Sequence, residues 1–86
     1  MTDDKNISGT ADDIEEKAFN YAMGILIKSW RIERGWSQQI LARKMKIPVR
    51  SLQLYEKGAE AVSIQRFIQI CRLLKIEFVL PVKTEN

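Results

Sequence analysis

The sequence predicts an all-α domain of four to five helices that ends in a single β-strand. Apolar residues recur at spacings of three and four through most of the chain. Ser, Gly and Pro stand where the periodic runs begin or end, as helix caps and stops do. After Ile76 the period changes to two, the signal of a strand. Eighty-six residues suffice for one small domain, or for one subunit of a dimer that shares its core.

Residues 1–10 are polar, contain Gly9 and have few groups to bury, so they read as a flexible acidic tail. Thr10 then serves as an N-cap, with Asp13 three residues later imitating a capping box. Ile14, Ala18, Tyr21, Ala22, Ile25, Leu26 and Ser29 share one side of the helix that follows, and Met23, Ile27, Trp30 and Arg34 continue on a neighbouring stripe. Gly24 weakens the middle of this helix or marks a close helix contact, and Gly35 ends it. Its length exceeds the average of about 11–12 residues, so its first half is expected to pack against something beyond the minimal domain.

Ser37 caps a second helix over 38–45, with Leu41, Ala42 and Met45 facing inward. Pro48 opens a third, where a missing N–H costs little; Leu52 and Tyr55 point to the core and Gly58 stops it. Ser63 caps a fourth helix over 64–75, with Ile64, Phe67, Ile68, Cys71 and Leu74 as the expected buried stripe. The domain thus covers 11–76, and residues 77–82 form the strand. Ile76, Phe78, Leu80 and Val82 alternate there with Glu77, Val79, Pro81 and Lys83. A lone strand cannot satisfy its own backbone groups. The economical solution is a two-fold homodimer in which Phe78, Val79 and Leu80 pair with their mates; a tail laid over its own core is the alternative.

Charge and composition narrow the function. Residues 1–16 carry six acids against Lys5, a net −5, whereas residues 17–86 carry thirteen Lys and Arg against five acids, a net +8. A basic body behind an acidic leader suits a polyanionic partner, although a merely soluble surface would look the same. There is no His, no Gly-rich phosphate loop and no metal-ligand cluster in the sequence, so no enzyme, cofactor or metal is expected. The single Cys71, set in a periodic apolar run, reads as a core residue. No apolar run approaches the roughly 18–20 residues of a membrane span, and no signal peptide precedes the domain, so a cytoplasmic location is expected.

The pair of helices at about 37–45 and 48–56 has the form of a helix-turn-helix, whose second helix enters the DNA major groove while the first braces the backbone. Ser37 and Gln38 start the bracing helix, where free backbone N–H groups suit a phosphate. On the second helix, Pro48, Val49, Arg50, Gln53 and Leu54 are left facing outward, with Ser51 at the boundary. Arg50 is the strongest base-reading candidate, because its planar fork matches guanine O6 and N7; clamping a phosphate is the plainer alternative. Gln53 suits adenine or a phosphate. Val49 and Leu54 suit thymine methyls, or simply packing. Arg43, Lys44, Lys46 and Lys57 surround this surface as backbone contacts or solvated charge.

Gly35-Trp36-Ser37-Gln38, Leu41-Ala42, Ile47, Leu52, Glu56-Lys57-Gly58, Ser63-Ile64 and Leu74 resemble the lambda-repressor-like (Xre-type) DNA-binding domain over about residues 23–76. The resemblance implies DNA contacts near Ser37, Gln38, Val49, Arg50, Ser51, Gln53 and Leu54, and a Glu56 that fixes the end of the recognition helix. Lys46-Ile47 and the strand Ile76-Glu77-Phe78-Val79-Leu80 also resemble the HipB-like antitoxins. That subgroup implies an intersubunit sheet, repression of its own operon and a HipA-like kinase toxin as partner. Lys46 replaces the family's usual turn glycine, and Pro48 its usual Ser or Thr cap. The expected function is a homodimeric repressor on an inverted-repeat operator; a phage-type or restriction-controller repressor, or an adaptor on the same fold without DNA binding, are the other readings.

Overall fold

The computed structural model describes residues 2–77, with side chains over 12–77. Four helices make up the described residues: α1 (Thr2–Glu33), α2 (Gln38–Met45), α3 (Val49–Lys57) and α4 (Ile64–Leu74). The three short helices match the expected spans to within a residue or two. Helix α1 does not. It runs back to Thr2, through the segment expected to be a tail. Nothing before Thr10 is a proline, and extending an existing helix adds a backbone hydrogen bond per residue without repeating the nucleation cost.

Of the two neighbouring stripes expected on α1, the one that packs is that of Met23, Ile27 and Trp30. Gly24, Ile27 and Arg31 are buried and Met23 and Trp30 half-buried, whereas Ile14, Tyr21, Ile25 and Leu26 are exposed. The reason is a close crossing with α3. A Cβ on Gly24 would lie 2.5 Å from the carbonyl oxygens of both Tyr55 and Glu56. One on Gly58, just past α3, would lie 2.7 Å from the Tyr21 Cα. Backbone meets backbone at both glycines, so the absence of side chains chose the docking face over the count of apolar ones.

The core consists of Ile27, Leu41, Ala42, Met45, Leu52, Tyr55, Ile70 and Leu74, with Trp30, Trp36, Ile47, Val49, Val62, Leu73 and Ile76 packed around it. Helix α4 enters this core through Ile70, Cys71 and Leu74. Ile64 and Ile68, expected in the buried stripe, are exposed instead. The first turn of α4 lines an open groove against α1, with Phe19, Met23, Val62 and Phe67, rather than the core. Burial pushes the Cys71 thiol above its ordinary pKa.

All four helices end alike. In each, two successive residues just past the helix donate to carbonyls of the last turn: Gly35 to Ile32 and Trp36 to Arg31; Lys46 to Arg43 and Ile47 to Ala42; Gly58 to Tyr55 and Ala59 to Leu54; Lys75 to Arg72 and Ile76 to Cys71. This Schellman closure needs a left-handed residue. Glycine supplies it twice, but Lys46 (φ 61°) and Lys75 (φ 58°) adopt it with a side chain. At Lys46 the left-handed turn is kept although lysine replaces the family's usual glycine. Of the expected strand, Ile76 and Glu77 are irregular; Phe78, Val79 and Leu80 lie outside the described residues.

Candidate nucleic-acid interface

Helix α2 begins at Ser37, whose Oγ accepts the Ile40 N–H at 3.1 Å. Helix α3 begins after Pro48, which has extended backbone (ψ 145°) and no side-chain cap. Proline holds the φ needed at this position, but the first-turn N–H groups of α3 then lack a side-chain acceptor from the cap. Leu41, Ala42 and Met45 of α2 and Leu52 and Tyr55 of α3 hold the pair together through the core. The turn between them is closed by Lys46.

A buried polar network fixes the mouth of this pair. Arg31 of α1 donates from Nε to Glu56 Oε2 at 2.7 Å and from its terminal nitrogen to Oε1 at 2.9 Å. Its other terminal nitrogen donates to the Trp36 carbonyl at 2.8 Å. Gln38 Nε2 also donates to Glu56 Oε1, at 3.0 Å, and Gln53 Nε2 reaches Gln38 Oε1 at 3.5 Å. The side chains of the ion pair are only 9% and 3% exposed. A two-pronged Arg–carboxylate pair combines strength with fixed direction. Glu56 is thus compensated before it can repel a polyanion, and it aims Gln38, which in turn steadies Gln53.

Neither half of that ion pair is obvious from periodicity alone. The role of Arg31 escaped the sequence reading, which placed Arg34 on the inward stripe. A signal was present: Ile27 and Arg31, like Leu52 and Glu56, are four residues apart, so one charge of each sign stands on a core stripe. Lys28 is a second addition. It is exposed, and lines an open cleft with Gln38, Gln53, Glu56 and Lys57.

Most of the remaining candidates are accessible on the two short helices and their flanks. Ser37, Arg43, Lys46, Pro48, Arg50 and Lys57 are exposed, and Gln38, Ser51, Gln53 and Leu54 half-buried. Val49 packs against the core, so the packing role considered for it is occupied. Lys44 is held elsewhere, its Nζ 4.9 Å from the Trp36 ring centroid. Gln38 and Gln53 are brought into contact; no hydrogen bond of Arg50 appears among the described residues, and a guanidinium free of protein partners is what a base or phosphate contact requires. The dimerisation candidates Phe78, Val79 and Leu80 lie outside the described residues.

Among the described residues no helix is long and apolar enough to cross a membrane. The family model described as helix-turn-helix matches residues 27–80, more than half of the chain. No curated protein and no solved structure matches. The matched span begins within α1 and takes in Arg31, Gln38, the Lys46 turn, Gln53 and Glu56, the residues that build the interface above. The chain therefore belongs to the helix-turn-helix family of lambda-repressor (Xre) type, a family of DNA-binding transcription regulators rather than enzymes.

Proposed function

We propose that this regulator is a sequence-specific repressor that occupies an inverted-repeat operator as a homodimer in the cytoplasm. The observation that carries this reading is the Arg31–Glu56–Gln38–Gln53 network. It holds two amides in place beside an exposed Arg50, and preorganised donors lose less entropy on binding. Arg50 and Gln53 read base edges, with Leu54 against a methyl group. Ser37 and the α2 N-terminus bind phosphate, and Arg43, Lys46, Ser51 and Lys57 position the backbone. Pro48 and Val49 shape the start of the reading helix. In a two-fold dimer the two reading helices enter successive major grooves about 34–36 Å apart.

The narrower reading is an antitoxin that represses its own operon and holds a HipA-like kinase toxin, with Phe78, Val79 and Leu80 in an intersubunit strand. It is supported by the sequence likeness of the turn and the terminal segment. A second reading, an adaptor without DNA binding, draws on the exposed apolar residues of α1. Titration against the DNA upstream of the chain's own gene, with scrambled competitor and at two salt concentrations, separates them. A repressor binds tightly, weakens with salt and resists the competitor. Arg50→Ala should lower specific affinity by about 1–3 kcal/mol, and Lys83→Ala far less. Equal losses would remove Arg50 from the base-reading set.

A further inference from the structure

Helix α1 carries a second stripe that its own domain leaves uncovered. Residues 14, 18, 21, 25, 28 and 32 follow one another at intervals of four, three, four, three and four, the spacing of a coiled-coil seam. All six are exposed. Ile14 is 63%, Tyr21 61%, Ile25 46% and Ile32 56% accessible, an unusual cost for four large apolar side chains in one line. The stripe lies beside the side of the helix that carries Gly24, Ile27 and Arg31; the Tyr21 backbone against Gly58 and Lys28 in its cleft with Lys57 border the α3 contact, yet the side chains of both stay exposed.

We infer that this stripe is an interface with a second copy of the same chain, the two α1 helices lying antiparallel. Its order is palindromic about the midpoint of Tyr21 and Ile25. A two-fold axis there places Tyr21 against Ile25 of the second copy, Ala18 against Lys28 and Ile14 against Ile32. Each large residue meets a large one, and the small Ala18 leaves room for the Lys28 stem. Charge selects the same direction. Asp12, Asp13, Glu15 and Glu16 flank Ile14 at the early end of the stripe, and Glu15 of the second copy lies one turn from the Ala18 that Lys28 meets. A parallel pair would oppose Lys28 to Lys28 and the acidic segment to itself. Ile14, Tyr21 and Ile25 precede the family match, so most of the seam is an addition to the helix-turn-helix unit. The interface does not use Phe78–Leu80, and it stands whether or not the chain represses a gene.

The test is sedimentation of the full-length chain without DNA. The wild type should form dimers, and Tyr21→Glu with Ile25→Glu should weaken them by at least roughly a hundredfold while circular dichroism stays helical. Lys28→Glu or Glu15→Lys alone should each weaken the dimer, and the two together in one chain should restore it, because the swapped charges meet again across the antiparallel pair. A monomeric wild type, a seam variant that associates as the wild type does, or a charge swap that fails to restore association would each overturn the inference. Loss on Phe78→Glu with an unaffected seam variant would assign self-association to the terminal segment instead.

Discussion

Two sides of one helix follow opposite rules. On its inner side α1 presents Gly24, Ile27 and Arg31, a residue with no side chain, an isoleucine and a charge, and all three are buried. On its outer side it presents a regular line of isoleucines and a tyrosine, and these are exposed. Hydrophobicity alone would have turned the helix over. The inner side wins because the two glycines at the crossing let backbones touch, and because Arg31 finds in Glu56 a fully directed partner. An apolar stripe is a demand for burial; it does not say by what.

The ion pair offers the hardest test of that contrast. Arg31→Met or Glu56→Leu alone should cost about 3–5 kcal/mol in denaturant unfolding, since each strands a buried charge. The double substitution should recover most of the loss in stability yet leave Gln38 without its acceptor, so DNA affinity should stay impaired. Recovery of both would mean that the network serves stability only.

Next come two isoleucines two residues apart. Ile27 is 0% exposed and Ile25 46%. Ile27→Ala should destabilise by about 2–5 kcal/mol through the cavity it leaves. Ile25→Ala should change the stability of the isolated subunit by no more than about 0.5 kcal/mol. Similar losses would mean that the outer stripe is covered within the same chain.

Gly24→Ala should lower stability by about 1–3 kcal/mol, although alanine is the better helix former by up to about 1 kcal/mol. The clash at 2.5 Å is with backbone carbonyls, which cannot rotate away. A gain in stability would show that α1 does not sit so close to α3.

The smallest effect should be of the opposite sign. Lys46→Gly removes the cost of a left-handed side chain, partly offset by a more flexible unfolded chain, for a gain of about 0.5–1 kcal/mol and a rise of roughly 2–8 °C in the thermal midpoint. Its effect on DNA binding separates the charge of Lys46 from its backbone role.

The helix-turn-helix pair was legible because its signals are local. Ser37 and Ser63 cap by bonding an N–H three residues on, Gly58 closes a turn where it stands, and Leu41, Leu52 and Tyr55 follow the helical period. The candidate interface was legible for the same reason, since exposed residues on a short helix are those the core does not need. Val49 shows the limit: its position at the start of α3 left it open to a base or to the core, and only the fold shows that it packs against the core. Ile64 and Ile68 show it again, because a periodic stripe on α4 does not reveal that its first turn overhangs a groove.

By itself, then, the sequence determined the three short helices and their caps, set by interactions between residues close in the chain, and it offered the candidates for DNA contact. Tertiary structure alone decided which side of α1 is inside, that Arg31 and Glu56 meet across 25 positions, and that Gln38 and Gln53 are held by that meeting. Contacts between distant segments depend on how closely backbones approach, and at Gly24 and Gly58 that approach is governed by absent atoms, which hydrophobic periodicity does not register.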